Sequence, residues 1–465
     1  MSERLVAGVD SSTQSTKVVL CRASDGTVLD EASAPHPDGT ECHPGHWWDA
    51  LSRTRGLLER ADAVAVAAQQ HGMVALDGEG EAVRPALLWN DTRSAPQARA
   101  LIEELGGPRM WAERAGSVPV ASFTVTKLRW MAEHEPENAR RTERVLLPHD
   151  WLTLRLGSDG PVTDRGDASG TGYWSPAEGA YLPDVLRAAL GRDAEPPRVA
   201  APGERVGTTS WGAAVAPGTG DNMGAALGLG LRPGDVVLSI GTSGTAFAVA
   251  DAPAADPSGL VAGFADATGR FLPLVCTLNA ARILTAAAAM TGAALDELSA
   301  LALAAEPGAG GLTLLPYLDG ERTPDRPGAT GVLAGLTTAN ATRENVARAA
   351  VEALLCSLAD AVDHLAAQGV RPRRTLLIGG GARAEAVRRL APAILGTPVT
   401  VPEPAEYVAL GAARQAAWAL AGTAGAPDWP APPATEYIAD HVEEAVRERY
   451  AALRDAAPAP GTAST

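Results

Sequence analysis

The chain has 465 residues, with 39 Lys and Arg against 55 Asp and Glu, so its formal net charge at pH 7 is -16. At about 150 residues per domain, this length predicts two or three globular domains. The acidic balance argues against nucleic-acid and anionic-membrane binding, because affinity for phosphate surfaces comes from clustered Lys and Arg. No basic leader with an apolar stretch opens the chain, and its four scattered cysteines form no C-x-x-C pair, so a cytoplasmic protein is expected.

The first part of the chain predicts strands that alternate with helices. β-rich runs at residues 5–9 and 17–21 flank a Ser/Thr-rich turn, and an apolar strand follows at 63–68. Helical spacing of apolar residues covers 92–105 and 126–140. This alternation is typical of α/β proteins.

Near residue 235 the chain repeats its own opening. A β-rich run at 235–240, a small-residue turn at 241–245 and a second run at 246–250 follow the same order as the first strands and their turn. The repeat predicts a duplicated domain, with one copy at 1–234 and the other at 235–423.

The remaining predicted elements complete the second copy and a terminal segment, 424–465. They are helices at 282–303 and 342–367, a strand at 375–378, a helix at 384–395, a Pro/Ala-rich linker at 424–435, a helix at 437–453 and a disordered tail at 456–465. Thr342 is the expected N-cap of the long helix.

Three turns after predicted strands have the composition of phosphate-binding loops. The turn at 10–17 offers a carboxylate, hydroxyls and backbone N–H groups, which suit phosphate and an oxygen-bound Mg²⁺. Glycines in the turns at 239–245 and 379–381 let backbone amides approach an anion closely. Together the three turns favour a nucleotide site over three plain hairpins. Neither a Walker A sequence nor a Rossmann G-x-G-x-x-G is present.

Several polar residues follow predicted strands and are candidates for sugar chemistry. Asp221 precedes a helix of small residues, where two roles stay open: an N-cap, or a general base that accepts a proton from a substrate hydroxyl. Gln70 and His71 end one strand, and Asn90 and Asp91 follow another, so that each pair could hydrogen-bond a polyol. A single His is more often structural than functional.

Two long segments resemble the signatures of the FGGY carbohydrate kinases, in the actin/hexokinase-like superfamily. They are SFTVTKLRWMAEH at 122–134 and GVLAGLTTANATRENVARAAVE at 331–352. The resemblance extends from residue 3 to about 420. It implies two duplicated actin/hexokinase-like (ribonuclease H-like) α/β domains with an interdomain cleft, and in many members a homodimer.

Within the family, shorter segments resemble the xylulokinases, among them AQQHGMVAL at 68–76 and LPYLDGERTP at 315–324. A glycerol kinase would have an Arg-Glu pair where this chain has Gln70 and His71. The resemblance implies ATP-dependent phosphorylation of D-xylulose to D-xylulose 5-phosphate. The alternatives are an FGGY kinase for ribulose, gluconate or glycerol, and a non-catalytic actin-like ATP-binding protein.

The resemblance also implies a role for each matching residue. Asp221 would be the base on the C5 hydroxyl, Gln70 and His71 would bind the sugar, and Asp10 would be associated with Mg²⁺ and phosphate. The implied nucleotide and phosphate contacts are Thr13, Gln14, Ser15 and Lys17 in the first loop, Gly241, Thr242 and Ser243 in the second, and Gly379, Gly380 and Gly381 near adenine. Ser12 stands where many members have Gly, and Ser adopts positive φ less easily.

Overall fold

The computed structural model describes residues 3–456, which form two compact units. Within the described residues, the first unit comprises 3–232, 249–273 and 405–431, and the second comprises 233–248, 274–404 and 432–456. The predicted boundary near residue 235 lies where the chain first passes between the units. The units differ from the predicted contiguous domains 1–234 and 235–423, because two later segments return to the first unit.

The strands up to residue 232 are β1 (Leu5–Ser11), β2 (Ser15–Arg22), β3 (Val28–Pro35), β4 (Glu41–Cys42), β5 (Ala63–Ala68), β6 (Val74–Leu76), β7 (Ala86–Leu87), β8 (Arg144–Leu146), β9 (Val162–Thr163), β10 (Trp174–Ser175), β11 (Ala180–Tyr181), β12 (Arg198–Val199), β13 (Gly207–Thr208), β14 (Ala214–Val215) and β15 (Thr219–Gly220). The helices of this part are α1 (Pro44–Arg53), α2 (Arg55–Leu58), α3 (Ala95–Glu104), α4 (Gly107–Ala115), α5 (Thr124–His134), α6 (Pro136–Arg141), α7 (Pro148–Leu156), α8 (Arg165–Ser169), α9 (Pro183–Leu190) and α10 (Asp221–Gly228).

The strands of the later part are β16 (Asp235–Ile240), β17 (Gly244–Ala248), β18 (Ala262–Ala265), β19 (Phe271–Thr277), β20 (Thr313–Leu315), β21 (Val332–Ala334), β22 (Arg374–Ile378), β23 (Val399–Pro402) and β24 (Ala434–Tyr437). Its helices are α11 (Ala281–Thr291), α12 (Leu295–Ala304), α13 (Arg343–Ala367), α14 (Glu385–Leu395), α15 (Tyr407–Ala421) and α16 (Glu444–Ala456), with short 3-10 helices at Ala309–Gly311 and Gly380–Arg383.

The large sheet of the first unit has the order β13-β14-β5-β1-β2-β3, and β15 also pairs with β5. β1 is antiparallel to β2 and parallel to β5. Since β5 and β15 run parallel, the residues that follow them, Gln69 to His71 and Asp221, leave the sheet in the same direction. The sheet thus sets two of the predicted site segments side by side.

The second large sheet repeats this arrangement, with the order β18-β19-β17-β16-β22-β23-β24. β16 is antiparallel to β17 and parallel to β22, as β1 is to β2 and β5. The predicted duplication and the α/β fold class of two actin/hexokinase-like domains are therefore confirmed. The cleft between the domains stays a prediction of the sequence.

Helix α15 explains why residues 405–431 belong to the first unit. Its alanines pack on the apolar residues of β1 and β5, in a buried cluster that includes Val6, Ala63, Ala409 and Ala413. The helix approaches β1 so closely that a Cβ on Gly8 would lie 1.9 Å from the carbonyl oxygen of Ala409. Because these residues lie about 350 to 400 positions apart in the chain, no local pattern in the sequence predicts that α15 packs on the first sheet.

Three predicted helices differ from the structure in their extent. The helix expected at 126–140 divides into α5 and α6 before Pro136, which has no N–H to donate to the preceding turn. The helix expected at 282–303 divides into α11 and α12 at Gly292, whose φ is +64°. The helix expected at 437–453 begins later, as α16, because 434–437 form β24 beside β23.

Other predictions at the end of the chain have mixed outcomes. The Thr342 cap is confirmed, since its hydroxyl oxygen accepts a hydrogen bond from the N–H of Asn345 at 3.2 Å. The predicted tail lies outside the described residues from position 457 onward.

Among residues 3–456, no single helix is long and apolar enough to cross a membrane, and only the bent pair α11 and α12 reaches that length and composition jointly.

Candidate active site

Asp10 lies at the end of β1, opposite Lys17 of β2, beside the first predicted phosphate loop. The strands extend further than expected, so the turn itself is residues 12–14, closed by a hydrogen bond from the Ser12 N–H to the Ser15 carbonyl at 3.1 Å. Among the described non-glycine residues, only His71 and Ala309 have positive φ. Ser12 therefore fits the turn without the strain that its replacement of Gly would predict.

The Asp10 carboxyl is 5% exposed, and its Oδ1 has no hydrogen-bond partner among the described residues. Burial raises its pKa to about 7, and the charge of Asp221 adds to the increase, while Lys17 opposes it. A buried carboxylate with a free oxygen near a second carboxylate is a position where a bound cation would be stabilising.

Lys17 forms an ion pair with Glu406, whose carboxylate lies 2.7 Å from Nζ. Glu406 is the residue before α15, and both side chains are 37% exposed. The structure thus gives the predicted phosphate contact a protein partner. Sequence reasoning missed Glu406, because 389 residues separate the two positions.

The first loop is also connected to its surroundings through side chains that the sequence did not single out. His36 is hydrogen-bonded through Nδ1 to the Ser12 carbonyl at 3.0 Å and through Nε2 to the Thr16 hydroxyl at 2.8 Å. Trp89 Nε1 donates to the Thr13 hydroxyl at 2.8 Å. Gln14 is exposed, and its carbonyl accepts from the His36 N–H.

Asp221 is the first residue of α10, whose N-cap is Gly220. Its Oδ1 accepts hydrogen bonds from the N–H of Asn222 at 2.7 Å and from the Asn222 amide at 2.9 Å. Burial raises the pKa of Asp221 to about 6, although the bonds from Asn222 oppose the shift. The N-cap alternative is therefore wrong, and the carboxylate is ionised near neutral pH with one oxygen outside these two bonds.

Gln70 and His71 follow β5 after Gln69, and Gln70 is connected to Asp221 through Asn222. The Asn222 amide donates to Gln70 Oε1 at 3.4 Å as well as to Asp221. His71 has φ +68° and stacks on Phe123 with ring centroids 4.8 Å apart. Its Nδ1 lies 2.6 Å from the Gly170 carbonyl oxygen, so the ring is fixed on two sides. The predicted sugar pair and the predicted base thus lie together.

Asn90 and Asp91 have different surroundings. The Asn90 amide donates to the Gly39 carbonyl at 3.2 Å, and its Oδ1 has no partner among the described residues. Asp91 accepts from the Thr40 hydroxyl and from Arg93 Nε, each at 2.8 Å. Burial alone would raise the pKa of Asp91, but bonds from Arg93 and Thr40 outweigh it and lower that pKa. Asp91 thus has hydrogen-bond donors within the protein, whereas Asn90 Oδ1 has none among the described residues. Both stay predicted sugar contacts.

In the second unit, Gly241, Thr242 and Ser243 connect β16 to β17. The Gly241 and Thr242 carbonyls accept from the N–H groups of Ala281 and Ala280 at 2.8 and 3.1 Å, at the start of α11. The glycines of the third loop lie against the end of β16: a Cβ on Gly379 would be 2.8 Å from the Ile240 carbonyl oxygen, and one on Gly381 would be 2.3 Å from Ile240 Cγ2. Only glycine allows these two loops to approach so closely.

A pocket of about 450 Å³ opens beside the third loop. Its wall combines apolar side chains with polar ones, and includes Leu284, Leu295, Ser299, Gly380, Gly381 and Arg383. Its size and mixed lining are typical of small-molecule sites. Within the second unit, the glycine loops and this pocket are therefore adjacent.

A buried carboxylate after a strand of one mixed sheet, and glycine loops beside a pocket on its repeat, are what the class of actin/hexokinase-like phosphotransferases requires. The models of the N-terminal and C-terminal domains of the FGGY family of carbohydrate kinases match residues 5–229 and 236–420. The chain belongs to the FGGY family of carbohydrate kinases.

Relatives and solved structures agree with this membership. The chain is 51% identical over 435 residues to a xylulose kinase of Streptomyces coelicolor, covering 90% of this chain and 88% of the relative. It is 50% identical to a xylulose kinase of Streptomyces rubiginosus, covering 98% and 97%. The crystal structure of xylulose kinase from Bifidobacterium adolescentis superimposes with a TM-score of 0.91 at 45% identity, covering 97% of this chain and 99% of that one. The predicted family and the enzyme interpretation are confirmed.

Proposed function

We propose that the protein transfers the γ-phosphoryl group of ATP to the C5 hydroxyl of D-xylulose, giving D-xylulose 5-phosphate and ADP. The observation that carries the proposal is the 50% identity to a xylulose kinase over 98% of the chain. The arrangement of Gln70, Asn222 and Asp221 supports it. Asn222 is hydrogen-bonded to both of the others, and neighbouring amide and carboxylate groups can bind the hydroxyls of a polyol.

Asp221 is the general base of the proposed reaction. With a pKa of about 6 it is ionised at pH 7–8, where it accepts the proton of the C5 hydroxyl as that oxygen attacks the γ-phosphorus. The bond between the γ-phosphorus and the β–γ bridging oxygen of ATP breaks, and its electron pair stays on that oxygen, which leaves as part of ADP. The two hydrogen bonds from Asn222 fix the carboxylate while it receives the proton.

Gln70, His71 and Asn90 are the proposed sugar contacts. Gln70 Nε2 is buried without a partner among the described residues, and a substrate hydroxyl would supply one. The stacking on Phe123 and the bond to the Gly170 carbonyl hold the His71 ring in one orientation. Rigid donors and acceptors of this kind select the hydroxyl pattern of the sugar.

ATP is assigned to the glycine loops, with adenine in the pocket beside Gly380 and Gly381. Thr13, Ser15, Thr242 and Ser243 would supply hydroxyls and backbone amides to the phosphates. Mg²⁺ fits the carboxylate of Asp10, whose buried Oδ1 has no partner among the described residues. When bound, Mg²⁺ would neutralise charge on the phosphate oxygens. Lys17 lies across the β1–β2 pair from Asp10 and adds a positive charge there.

A sugar panel tests the proposal. Purified protein with ATP and Mg²⁺ would be assayed for ADP release with D-xylulose, D-ribulose, gluconate and glycerol. We expect D-xylulose to give the highest kcat/KM, at least about tenfold above the others, because a site built to hydrogen-bond a given hydroxyl rejects analogues that lack it. Preference for another sugar would assign a different substrate within the family. ADP release that no sugar stimulates would overturn the proposal.

A further inference from the structure

Four buried ionisable residues form a cluster between α7 and α8 and take no direct part in the proposed reaction. His149, Asp150, Asp164 and Asp167 are each at most 2% exposed. His149 and Asp150 are on the first turn of α7, Asp164 is the N-cap of α8, and Asp167 is within α8. Burial of an ionisable side chain costs free energy unless it is paired and hydrogen-bonded, so a cluster of four is uncommon in a protein interior.

The imidazole of His149 is the centre of the cluster. Its Nδ1 lies 2.6 Å from Asp167 Oδ2, and its Nε2 lies 3.2 Å from Asp150 Oδ1 and 3.9 Å from Asp164 Oδ1. Burial alone would lower the pKa of His149, but the three carboxylates outweigh it and raise that pKa to about 9. The hydrogen bond between Nδ1 and Asp167 connects α7 to α8.

Asp164 connects this cluster to the strand before the proposed base. Its carboxylate accepts the N–H groups of Gly166 and Asp167 at the start of α8, and its Oδ2 also accepts the Thr219 hydroxyl at 2.8 Å. Thr219 is fully buried in β15, two residues before Asp221. Hydrogen bonds through Asp164 therefore connect the start of α8 to Thr219, two residues before Asp221.

The backbone beside Thr219 is held by the same ring. A Cβ on Gly218 would lie 2.4 Å from His149 Cδ2, so the imidazole is in direct contact with this segment. The carbonyl of Gly218 accepts the amide of Gln415 at 3.0 Å. Residues 218–220 are thus fixed from several sides, although Asp221 itself has only Asn222 as a hydrogen-bond donor among the contacts given above.

The other end of α8 reaches the sugar pair. Gly170, the C-cap of this helix, offers its carbonyl oxygen to His71 Nδ1 at 2.6 Å. The helix that Asp164 caps therefore contacts both predicted halves of the site, the base through Thr219 and the sugar contact through Gly170. A displacement of α8 would move both.

We propose that His149, Asp164 and Thr219 are positioning residues for phosphoryl transfer: through α8 and β15 they set the place of Asp221 relative to His71. The inference rests on the proposed function of Asp221. None of the three touches a reacting atom. Their contribution is the alignment of base and acceptor, and small misplacements in such alignment cost large factors in rate.

The Thr219→Val and Thr219→Ser variants test this most directly. Valine keeps the volume of threonine and removes the hydroxyl that Asp164 accepts, whereas serine keeps that hydroxyl. We expect Thr219→Val to lower kcat by about tenfold or more with the KM for ATP changed less than twofold, and Thr219→Ser to stay within about threefold of the wild-type kcat. Thermal unfolding of each variant shows how much stability is lost.

Thr142 provides the matched control. It is also fully buried in the first unit, and its hydroxyl donates to the Asn138 carbonyl at 2.8 Å, away from the cluster. Thr142→Val should keep kcat within about twofold at a similar loss of thermal stability. If Thr142→Val loses as much kcat as Thr219→Val, or if Thr219→Ser loses as much as Thr219→Val, general destabilisation or packing explains the effect and the inference fails.

A double-mutant cycle with Asp167→Asn adds an independent measurement. Since both changes act through α8, the loss of kcat in the double variant should be smaller than the product of the single losses. Fully multiplicative losses would contradict a shared path. Wild-type turnover on D-xylulose tests the proposed function separately, and the variant ratios can be measured on any sugar that the wild type phosphorylates.

Discussion

At the scale of single residues, Asp221 has the sharpest expected effect. Asp221→Ala should fold and lose kcat by about 10³-fold, because removal of a positioned general base costs roughly 10²–10⁴ in rate. Steady-state kinetics on D-xylulose would measure it. In the wild type, kcat/KM should fall below about pH 6 as the carboxylate takes up a proton.

Asp256 gives a control for this variant. It is a buried carboxylate of the same unit that accepts hydrogen bonds from Ser258 and from the N–H of Val261. Asp256→Asn should leave kcat within about twofold. Near-normal turnover in Asp221→Ala would show that another group accepts the proton.

Asp10 has a predicted effect on stability that depends on pH. Its pKa is about 7 in the folded chain against an ordinary value of 3.8, so the folded protein binds a proton that the unfolded chain releases. The stability of the fold therefore decreases as the pH rises from about 4 to about 7, and this loss stays constant at higher pH. Asp10→Asn should raise the melting temperature at pH 8 in metal-free buffer, and the gain should shrink toward zero near pH 4.

Thermal unfolding of both proteins between pH 4 and pH 8, with EDTA, would check this expectation. A pKa difference of about three units between the folded and unfolded chain corresponds to a change of at most about 4 kcal/mol in the free energy of unfolding. An Asp10→Asn variant that is less stable than the wild type at pH 8 would mean that the ionised carboxylate is stabilised by the fold.

The site residues that the sequence predicted are those within short motifs. Gln70, His71 and Asp221 follow directly on strands, and parallel pairing of β5 with β15 brings them together. Glu406 and Gly170 could not be found in this way, since they meet Lys17 and His71 only through tertiary packing. The contact of Asp91 with Thr40 could not be found either, since 51 residues separate the two positions.

At the scale of elements, the contact of α15 with α10 depends on glycine. A Cβ on Gly411 would lie 1.8 Å from the Gly224 carbonyl oxygen, and one on Gly228 would lie 2.1 Å from that of Tyr407. Gly411→Ala must therefore separate the two helices. We expect the free energy of unfolding to fall by about 1–3 kcal/mol or more, with a lower kcat, because α10 begins at Asp221.

Denaturant unfolding and steady-state kinetics would measure these effects. Gly56→Ala is the control, since a Cβ at that position meets no atom within 4 Å. Equal stability of Gly411→Ala and the wild type would show that the helices separate without cost.

The central strands β5 and β16 of the two large sheets were predictable, and the helix breaks were less so. β5 and β16 match their predicted bounds because each is a short apolar run that ends at polar or small residues. Pro136 marks the break between α5 and α6. The helical spacing of apolar residues continues on both sides of it, so the sequence analysis predicted one helix. The predicted second domain, 235–423, included the residues of α15, since a face of alanines does not specify which sheet it covers.

At the scale of the whole molecule, the charge of -16 acts against nucleotide capture. The chain carries only two lysines, and Lys17, beside the first loop, is already paired with Glu406. Long-range repulsion of ATP should therefore slow association at low ionic strength. At 0.15 M salt the Debye length is about 8 Å, which screens most of this field.

We accordingly expect the association rate constant of a fluorescent ATP analogue, measured by stopped flow, to rise several-fold between about 10 and 150 mM NaCl. D-xylulose is uncharged, so its KM should change little over the same range and serves as the control. An association rate that falls steadily with salt would contradict the expectation. It would mean that positive charge local to the loops, from Lys17 or the arginines near the pocket, dominates over the net charge of the molecule.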